Sequence, residues 1–548
     1  MSEGHANLTR FERLVSLVTR IRPGEGRAAF LFFLHGFLLL ASYQVVKALR
    51  EGIILTKFSA ETTAYVVGLL ALVLMVVVPL YARLRHRLDG AQLLRTVTVF
   101  FVATMPWFAV LAHYEVPIEI VFFLWVGIYG VMVVAQMWAF AADSFNVKSG
   151  QRLFVVIMLG ANLGALAGAK LTQYVVAATS TIGLIILAAI LLGSTLFLAG
   201  PERAAVPEGS RSDSSEQSRP MPHLLGGIGL VLRNRYLLLI AIFVVLLNWI
   251  NSTGEYILRQ YVKEHAVANF GADEEAVSSF ITAFYGNFFF WVTLIGLAIQ
   301  LLLVSRIYRA VGVRGALLVH PTIVTIGYAL LAFAPMLGGF IPIFSLIRRI
   351  KVADNGVDYS LMNTTRQALF LPVDRDAKYD GKMAIDTFFW RFGDLIYAVG
   401  IYVGLNLLGW NDHHYAFQNL VLSLVWIGLA VLMGRDYGRK VQESITNTAP
   451  EAVEQIPDLL CSPGQLFVHP VPAAAFRDAD PGDVLILRAC CEDGRPLPRW
   501  LRFDVWRQTF TGKAPMDMGS RNLCVAVIAS DLDGLKARST FHVRLAPA

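Results

Sequence analysis

Long apolar stretches separated by short polar loops dominate the chain from about residue 28 to residue 433. An apolar run of about 18 residues or more is typical of a helix that crosses a bilayer. The tenth run is the least regular, because Arg348, Arg349 and Lys351 interrupt it. The pattern predicts an all-α polytopic membrane protein with twelve transmembrane helices, at about 28–49, 63–82, 96–113, 117–141, 153–173, 179–199, 236–256, 279–304, 312–334, 337–371, 385–409 and 414–433.

The twelve predicted helices fall into two sets of six. We predict a first six-helix half at 28–200, a polar linker at 201–233 and a second six-helix half at 234–436. The linker is rich in Pro, Glu, Ser and Gln, which is typical of a flexible segment. Six plus six helices around a central linker is the layout of major-facilitator-like transporters, whose halves rock around a site near the middle of the membrane.

The positive charges predict how the chain is oriented. Arg and Lys cluster after the second, fourth and eighth predicted helices, whereas the loops around 113–119, 173–180 and 410–415 contain neither. Because short cytoplasmic loops carry the excess of Lys and Arg, both termini are predicted to be cytoplasmic. Residues 1–27 repeat apolar side chains at helical spacing among arginines, which predicts an amphipathic segment on the cytoplasmic surface.

From about residue 456 the pattern changes to short alternating segments separated by turn signals. Such spacing predicts a small all-β sandwich at 456–548, joined to the helices by a linker at 437–455. All four cysteines of the chain, Cys461, Cys490, Cys491 and Cys524, lie in this region. Adjacent cysteines in a strand point to opposite faces, so we expect free thiols and no disulfide framework.

Composition excludes several classes of function. The chain is 56% hydrophobic and 16% charged, whereas soluble domains carry about a quarter charged residues. Its net charge of +7 is spread over short loops, which makes no basic face for nucleic acid. The sequence contains neither a Walker loop nor a nucleophile elbow nor a His/Cys ligand set. We therefore expect no enzymatic activity, no cofactor and no metal, and as partners the lipid bilayer and a small anionic solute.

Charged residues inside the predicted helices are the candidate binding residues, because a charge at membrane depth usually faces a protein-lined cavity. Lys47 and Glu51 are one helical turn apart and are predicted to pair, with Arg50 on another face. Lys47 or Arg50 binds an anionic solute in one interpretation and reaches the outer headgroups in the other. Glu255 and Arg259 have the same spacing and form either a gate that the solute breaks or a plain helix-end salt bridge.

Three cations interrupt the tenth predicted helix. Arg348, Arg349 and Lys351 must face a cavity, lipid headgroups or carboxylates such as Asp354 and Asp358. We favour a cavity or pairing role, because desolvating an unpaired charge is costly.

A second charged segment begins the eleventh predicted helix. Its carboxylates are favoured there by the helix dipole whatever the function. The functional alternatives are a salt-bridge lock between the two halves and, for Lys382 above all, direct contact with the solute. The predicted lock residues are Lys378, Lys382, Asp386, Arg391 and Asp394, with Asp143 and Arg152 as an equivalent pair in the first half.

Several blocks of the membrane region resemble the ATP/ADP translocase (nucleotide transporter) family, and more closely its distant bacterial members. The likeness covers most of residues 28–434 and is most specific between Tyr359 and Gly393. The matching residues are Lys47-Ala48-Leu49-Arg50-Glu51, Trp138-Ala139-Phe140-Ala141, Arg152-Leu153-Phe154, Gly160-Ala161-Asn162, Asn251, Glu255, Arg259, Lys378, Gly381, Lys382, Ile385 and Asp386.

This resemblance implies a major-facilitator-like fold, a transport role and a bacterial inner membrane. Two positions depart from the family pattern, since Asp358 and Asp394 stand where nucleotide exchangers usually have basic residues. Replacing two cations by two anions is unfavourable for binding a triphosphate. The resemblance therefore implies transport more firmly than it implies ATP.

The C-terminal region resembles dystroglycan-type cadherin-like (Ig-like) domains. The likeness lies in the blocks 476–483 and 493–504, in Thr509-Phe510-Thr511-Gly512 and in Phe541-His542-Val543. Trp500, Phe503 and Phe510 are its expected core residues.

The sequence leaves different classes of function open. One is a secondary transporter that moves an anionic, nucleotide-like solute by alternating access, with the β-sandwich as a docking or regulatory module for a protein partner. Another is a non-transporting scaffold that anchors the sandwich to a partner complex. A third is an exporter or flippase of a lipid-linked anion.

Overall fold

The computed structural model describes residues 21, 25–85, 90–198, 202, 205–206, 224–337, 342–373, 377–445, 449–479, 485–514, 523–531 and 535–545. The chain divides into two compact units, Met1–Tyr437 and Gly438–Ala548. Most of the predicted amphipathic segment and of the central linker lies outside the described residues, as does the side chain of Lys378.

Six helices form the first half of the membrane unit, and each coincides with a predicted apolar stretch. They are α1 (Gly26–Lys57), α2 (Ala60–Arg85), α3 (Gly90–His113), α4 (Glu119–Ser144), α5 (Val147–Val175) and α6 (Thr181–Thr195).

The second half begins with a short helix, α7 (Leu224–Arg233), inside the segment predicted as a linker. The regular helices that follow are α8 (Arg235–Phe270), α9 (Glu274–Leu302) and α10 (Val304–Ala332), and α13 (Asp412–Ile445) closes the half. Between them lie two helices with π-helical turns. Helix α11 comprises Ile343–Val357, the π turn Asp358–Met362 and Asn363–Ala368, and α12 comprises Ala377–Gly381, Lys382–Ala384, Ile385–Phe389, Trp390–Tyr402 and Val403–Leu407.

Ten of the described helices are long and apolar enough to cross a membrane. Helix α6 is apolar but shorter, and α11 carries the three interrupting cations. With these two, the described residues have a helix at each of the twelve predicted positions. The predicted fold class, an all-α polytopic membrane protein with a small β region, is confirmed.

Capping residues explain where several helices begin and end. The side chain of Asn234 accepts hydrogen bonds from two amides at the start of α8, and that of Asp273 accepts one, from Ala276, at the start of α9. Helix α8 ends at Gly271, whose φ of 63° is accessible to glycine without strain. Helix α13 continues to Ile445, well beyond the predicted end of the last apolar stretch.

Three glycines in α5 allow the closest helix contact of the first half. A Cβ at Gly164 would lie 2.0 Å from the carbonyl oxygen of Phe37 in α1, and a Cβ at Gly160 or Gly168 would lie 2.3 Å from another α1 carbonyl oxygen. Small residues at four-residue spacing are the usual means of close packing between membrane helices. The repeat therefore has a packing role.

The two halves are joined toward the end of the membrane unit where α1 ends and α2 begins. A Cβ at Gly52 in α1 would lie 1.9 Å from the hydroxyl of Thr282 in α9, so only glycine fits there. Lys57 at the end of α1 pairs with Glu274 at the start of α9. Lys263 in α8 donates to the carbonyl of Phe58 at 2.8 Å.

The C-terminal unit has two main β-sheets, a short third sheet and its own core. A four-stranded sheet has the order β2-β9-β8-β5, a three-stranded sheet has the order β3-β7-β6, and β1 pairs with β4. Strands β2 and β9 are parallel, and the other pairings are antiparallel. The strands are β1 (Glu451–Ala452), β2 (Leu459–Cys461), β3 (Leu466–Pro470), β4 (Phe476–Arg477), β5 (Ile486–Cys491), β6 (Leu501–Asp504), β7 (Thr509–Lys513), β8 (Leu523–Ser530) and β9 (Lys536–Leu545).

Side chains from both sheets share this core. Phe510 and Phe541 are fully buried with ring centroids 5.1 Å apart, and Trp500 and Phe503 pack against them while half-buried. The four cysteines are free, as the sequence predicts. The strands begin at Glu451, slightly before the predicted start at residue 456.

Candidate functional site

A buried ion pair joins the first helix of one half to α8 of the other. Nε of Arg259 donates to Oε2 of Glu51 at 2.9 Å, and Nη2 of Arg50 donates to Oε1 of the same carboxylate at 2.6 Å. The predicted pairs Lys47–Glu51 and Glu255–Arg259 are therefore not the pairs that form. A buried carboxylate needs several donors, and the guanidinium of the facing helix reaches Glu51 with a second nitrogen at 3.4 Å.

Lys47 is a cation without a carboxylate. Among the described residues its ammonium makes no hydrogen bond or ion pair, and it lies 4.1 Å from the centroid of the Phe289 ring. The rings of Tyr43 and Tyr359 lie 6.0 and 5.9 Å away. Tyr359 belongs to the opposite half and is 54% exposed. Lys47 thus lies half-buried at the interface of the two halves, framed by aromatic rings.

Lys351 in α11 is fully buried in a polar network. Its Nζ lies 2.7 Å from Oδ2 of Asp354, 3.5 Å from Oε1 of Glu255 and 3.0 Å from Oδ1 of Asn251. Oδ1 of Asp354 in turn lies 2.7 Å from Nε2 of His320 in α10. The prediction that the cations of this helix pair with carboxylates is confirmed for Lys351.

Arg348 has a different environment. It donates to Oδ1 of Asn287 in α9 at 2.5 Å, and Nδ2 of Asn287 donates to Oε1 of Gln173 in α5 at 3.0 Å. Lys170 donates to the same Gln173 oxygen at 2.8 Å. A chain of polar side chains therefore runs from the second half to the first. Arg349, the next residue, is exposed and lies outside this chain.

The charged residues at the start of α12 are spread out. Lys382 is half-buried and lies 5.9 Å from the Phe370 ring centroid, whereas Asp386 is exposed. Nearby, Arg366 stacks on Trp390 with its guanidinium carbon 4.5 Å from the ring centroid. Lys382 is thus separate from the Lys47 site in this structure.

The predicted lock between halves is not formed by Arg391 and Asp394. Nη1 of Arg391 lies 3.3 Å from Oδ2 of Asp394 in the same helix, and Asp394 accepts from Asn248 at 2.8 Å and from Ser252 at 3.3 Å. Asn248 and Ser252 both belong to α8. All these partners lie in the second half, because α8 and α12 pack directly together.

Arg152, a predicted lock residue of the first half, pairs with a carboxylate that lies just before α1. Its guanidinium donates to both oxygens of Glu25 at 2.9 Å. Close by in sequence to Glu25, His35 lies 2.9 Å from the buried carboxylate of Glu202. The predicted partner, Asp143, lies beside Gly90. Arg152 is therefore tied within its own half.

Sequence reasoning missed the polar partners that carry no charge signal. Asn287 and Gln173 lie in apolar stretches, where a single amide is unremarkable in sequence. His320 is a lone histidine in an apolar helix, a pattern more typical of a core residue than of a site. The apolar surroundings of these three residues were a signal that could have identified them, because a polar side chain in a membrane helix usually has a partner or a function.

Residues 169–408 match a protein family described as TLC ATP/ADP transporter. A curated relative, ADP,ATP carrier protein 1 of Chlamydia pneumoniae, is 22% identical over 347 residues, which cover 56% of this chain and 64% of the relative. The chain thus spans just under two thirds of the length of that protein. The match includes α8 to α12 and the end of α5, which carry most of the polar groups described above.

Solved structures of transporters share the fold. A POT family transporter in complex with 5-aminolevulinic acid superposes with a TM-score of 0.54 at 14% identity, covering 76% of this chain and 96% of that one. An auto-inhibited POT family peptide transporter gives a TM-score of 0.52 at 11% identity, covering 76% and 97%. The membrane unit is therefore a multi-pass unit with a transporter fold.

Proposed function

We propose that this chain is a secondary transporter, and not an enzyme, that moves an anionic, nucleotide-like solute across a bacterial inner membrane by alternating access. The observation that carries the proposal is the ammonium of Lys47, which lies among aromatic rings at the interface of the halves and has no carboxylate partner among the described residues. The family match over residues 169–408 supports the same solute class.

The surroundings of Lys47 suit a solute with both a phosphate and a flat ring. An ammonium without its own carboxylate is available to a phosphate oxygen, and such charge-assisted bonds are the strong ones. Tyr359 is exposed within 6 Å of Lys47 and offers a face on which a base can stack. The ion pair of Glu51 and Arg259 joins the two halves one helical turn away from Lys47.

Two acidic positions favour a solute with few phosphates. Asp358 is buried in the second half, and Asp394 is fixed by Asn248. Both add negative charge near the pathway, which disfavours a highly charged anion. We therefore propose that nucleoside monophosphates and diphosphates are moved faster than triphosphates.

Uptake by proteoliposomes tests the proposal. The purified full chain is reconstituted and loaded with unlabelled nucleotide, and exchange of radiolabelled AMP, ADP and ATP is measured separately. Lys47→Gln should abolish exchange and Tyr359→Leu should raise KM, whereas Arg27→Gln, exposed in the first turn of the same helix, should leave the rate unchanged. Folded wild-type protein that exchanges none of the three refutes the proposal and favours the scaffold alternative.

The C-terminal unit is proposed to be a docking or regulatory module for a protein partner. Its separate core supports this role. A chain ending at residue 448 should exchange nucleotide at the full-length rate, and a loss of exchange would assign the unit a part in transport. The resemblance to cadherin-like domains remains part of this proposal.

Both termini are proposed to be cytoplasmic, as the distribution of Lys and Arg predicts. All four native cysteines lie in the C-terminal unit, so they report its side of the membrane directly. A membrane-impermeant maleimide should label them only after the cells are opened. Labelling in intact spheroplasts would place the unit outside.

A further inference from the structure

A charge cluster in the second half is left unused by the Lys47 site. It consists of His320 in α10, Lys351, Asp354 and Asp358 in α11, and Glu255 in α8. His320 and Asp354 are in hydrogen-bond contact at 2.7 Å, and Asp354 and Glu255 share the ammonium of Lys351. Asp358 follows Asp354 by four residues, which places both carboxylates on one face of the helix.

The cluster carries more acid than base. With every carboxylate ionised and His320 neutral, the single cation Lys351 faces three anions. Asp354 and Asp358 are buried, and the Glu255 side chain is 19% exposed. Burying an uncompensated charge costs several kcal/mol per ion on the usual estimates. Binding a proton from water is the simplest way for such a cluster to lose its surplus negative charge.

Two buried atoms in the cluster are open to a proton. Among the described residues, Nδ1 of His320 and Oδ1 of Asp358 have no hydrogen-bond partner. Their side chains are buried, at 1% and 4% exposure, so solvent does not satisfy these atoms. Asp358 also interacts electrostatically with His320, Asp354 and Lys351, which places it within the same cluster.

Cations on the surrounding helices reduce the surplus but do not bond to the two buried atoms. Lys47 interacts electrostatically with Glu255, and Arg366 interacts with Asp358 from two helical turns beyond it, over the Trp390 ring. Helix α13 contributes the Trp426 ring, 5.1 Å from that of His320. The charged and titratable groups that face the cluster are Lys47 of α1, Tyr285 of α9, Tyr328 of α10, Tyr359 and Arg366 of α11, and Tyr397 of α12.

We propose that His320, Asp354 and Asp358 bind a coupling proton that moves in the same direction as the anionic solute. This inference rests on the proposed transport function, and it identifies the proton gradient as the energy source for transport. Each bound proton makes the second half less negative, so the anion binds more tightly at Lys47. By linkage the anion raises the affinity for the proton by the same factor. The proton enters from water on one side and leaves to water on the other.

The test uses the full chain in proteoliposomes with radiolabelled AMP, ADP and ATP as probes. For each nucleotide, uptake with acid outside is divided by uptake at equal pH, and a pH dye reports the lumen. We expect the wild-type ratio to be about tenfold, which corresponds to a coupling free energy of about 1.4 kcal/mol. We also expect the lumen to acidify as nucleotide enters, and a protonophore to abolish both effects.

Matched variants assign the proton to the cluster. Asp358→Asn and His320→Gln should lower the ratio to one. His35→Gln is the control, because His35 is also a buried histidine beside a carboxylate, Glu202, but lies in the first half. It should keep the wild-type ratio. If the His320→Gln variant fails to fold, the uptake ratio of the Asp358→Asn variant alone tests the proposal.

The outcomes separate this inference from the proposed function. Wild-type protein that exchanges nucleotide at equal pH but ignores the gradient overturns the coupling proposal and leaves transport standing. Asp358→Asn that retains the full ratio overturns it as well, as does uptake driven by sodium alone. Absence of exchange for all three nucleotides refutes the transport function and the coupling together.

Discussion

Arg259 donates to Glu51 across the boundary between the two six-helix halves, at 2.9 Å and with both side chains buried. The pair joins α8 to α1 one helical turn from Lys47. It therefore fixes the distance between the halves beside the proposed solute site. Any rocking of the halves that widens this end must separate the two side chains or carry them together.

Removing the carboxylate of this pair should destabilise the protein. Glu51→Gln leaves the guanidiniums of Arg50 and Arg259 without a counter-ion, and breaking a buried pair costs about 3–5 kcal/mol. Thermal unfolding of the purified protein measures the loss. Glu274→Gln is the control, since Glu274 pairs with Lys57 at an exposed position, where a pair contributes about 0–1 kcal/mol. Equal losses for the two variants would contradict the buried role of Glu51.

Adjacent arginines should differ in their effect on transport. Arg348 donates to Asn287 in the polar chain that reaches α5, whereas Arg349 is exposed. A hydrogen bond to a charged group contributes about 1.5–3 kcal/mol, so Arg348→Gln should slow nucleotide exchange about tenfold or more. Arg349→Gln should retain the wild-type rate. If both variants slow exchange alike, the polar chain is not the reason.

Close packing of α5 on α1 should make Gly164 intolerant of a methyl group. A Cβ there would lie 2.0 Å from the Phe37 carbonyl oxygen, so Gly164→Ala must push the helices apart. Overpacking of this kind costs about 1–3 kcal/mol or more, and thermal unfolding detects it. Gly428→Ala in α13 meets nothing within 4 Å and serves as the control. A Gly164 variant as stable as the Gly428 variant would refute the contact.

The C-terminal unit should lose one stabilising interaction in acid. The amide of His542 donates to Asp458 at 2.7 Å, with the Arg544 guanidinium at 3.2 Å, and together they lower the pKa of this carboxyl. A lowered pKa stabilises the fold above the unfolded-state value of about 3.9, and this stability is lost as the pH falls through the folded-state pKa.

Hydrogen exchange of the peptides that contain β2 and β9 measures this effect. Asp458→Asn should exchange faster than wild type at neutral pH, and the difference should vanish in strong acid. Comparing the two proteins at the same pH cancels the intrinsic exchange rate. A difference that persists in acid would show that the carboxylate charge is not the cause.

The positions of the helices were predictable because a bilayer sets a minimum apolar length. The glycine repeat of α5 was predictable for a similar reason, since four-residue spacing places small residues on one face. The partners of the charges were not predictable. Helical spacing predicts Lys47 as the partner of Glu51. In the structure, Arg259 donates to Glu51 from a helix that lies 208 residues further along the chain. A buried carboxylate is stabilised only by donors with good geometry, and the sequence does not show which distant donor has it.

The charge cluster was only half visible in the sequence. Lys351, Asp354 and Asp358 are close together in one helix, so their pairing could be proposed. Their histidine partner comes from α10, where one polar residue among apolar ones indicates nothing about its neighbours. The role of His320 follows from its 2.7 Å contact with Asp354 and from its unsatisfied second nitrogen.

The ties between Lys57 and Glu274, and between Lys263 and the Phe58 carbonyl, gather where α1 ends. With a cytoplasmic N-terminus, as proposed above, that end faces the exterior. The molecule is then shut toward the outside, and a water-borne reagent should reach a cysteine placed at Tyr359 by way of the cytosol. Breaking the contacts of Lys57 and Lys263 should instead make that cysteine accessible to reagents in the periplasm.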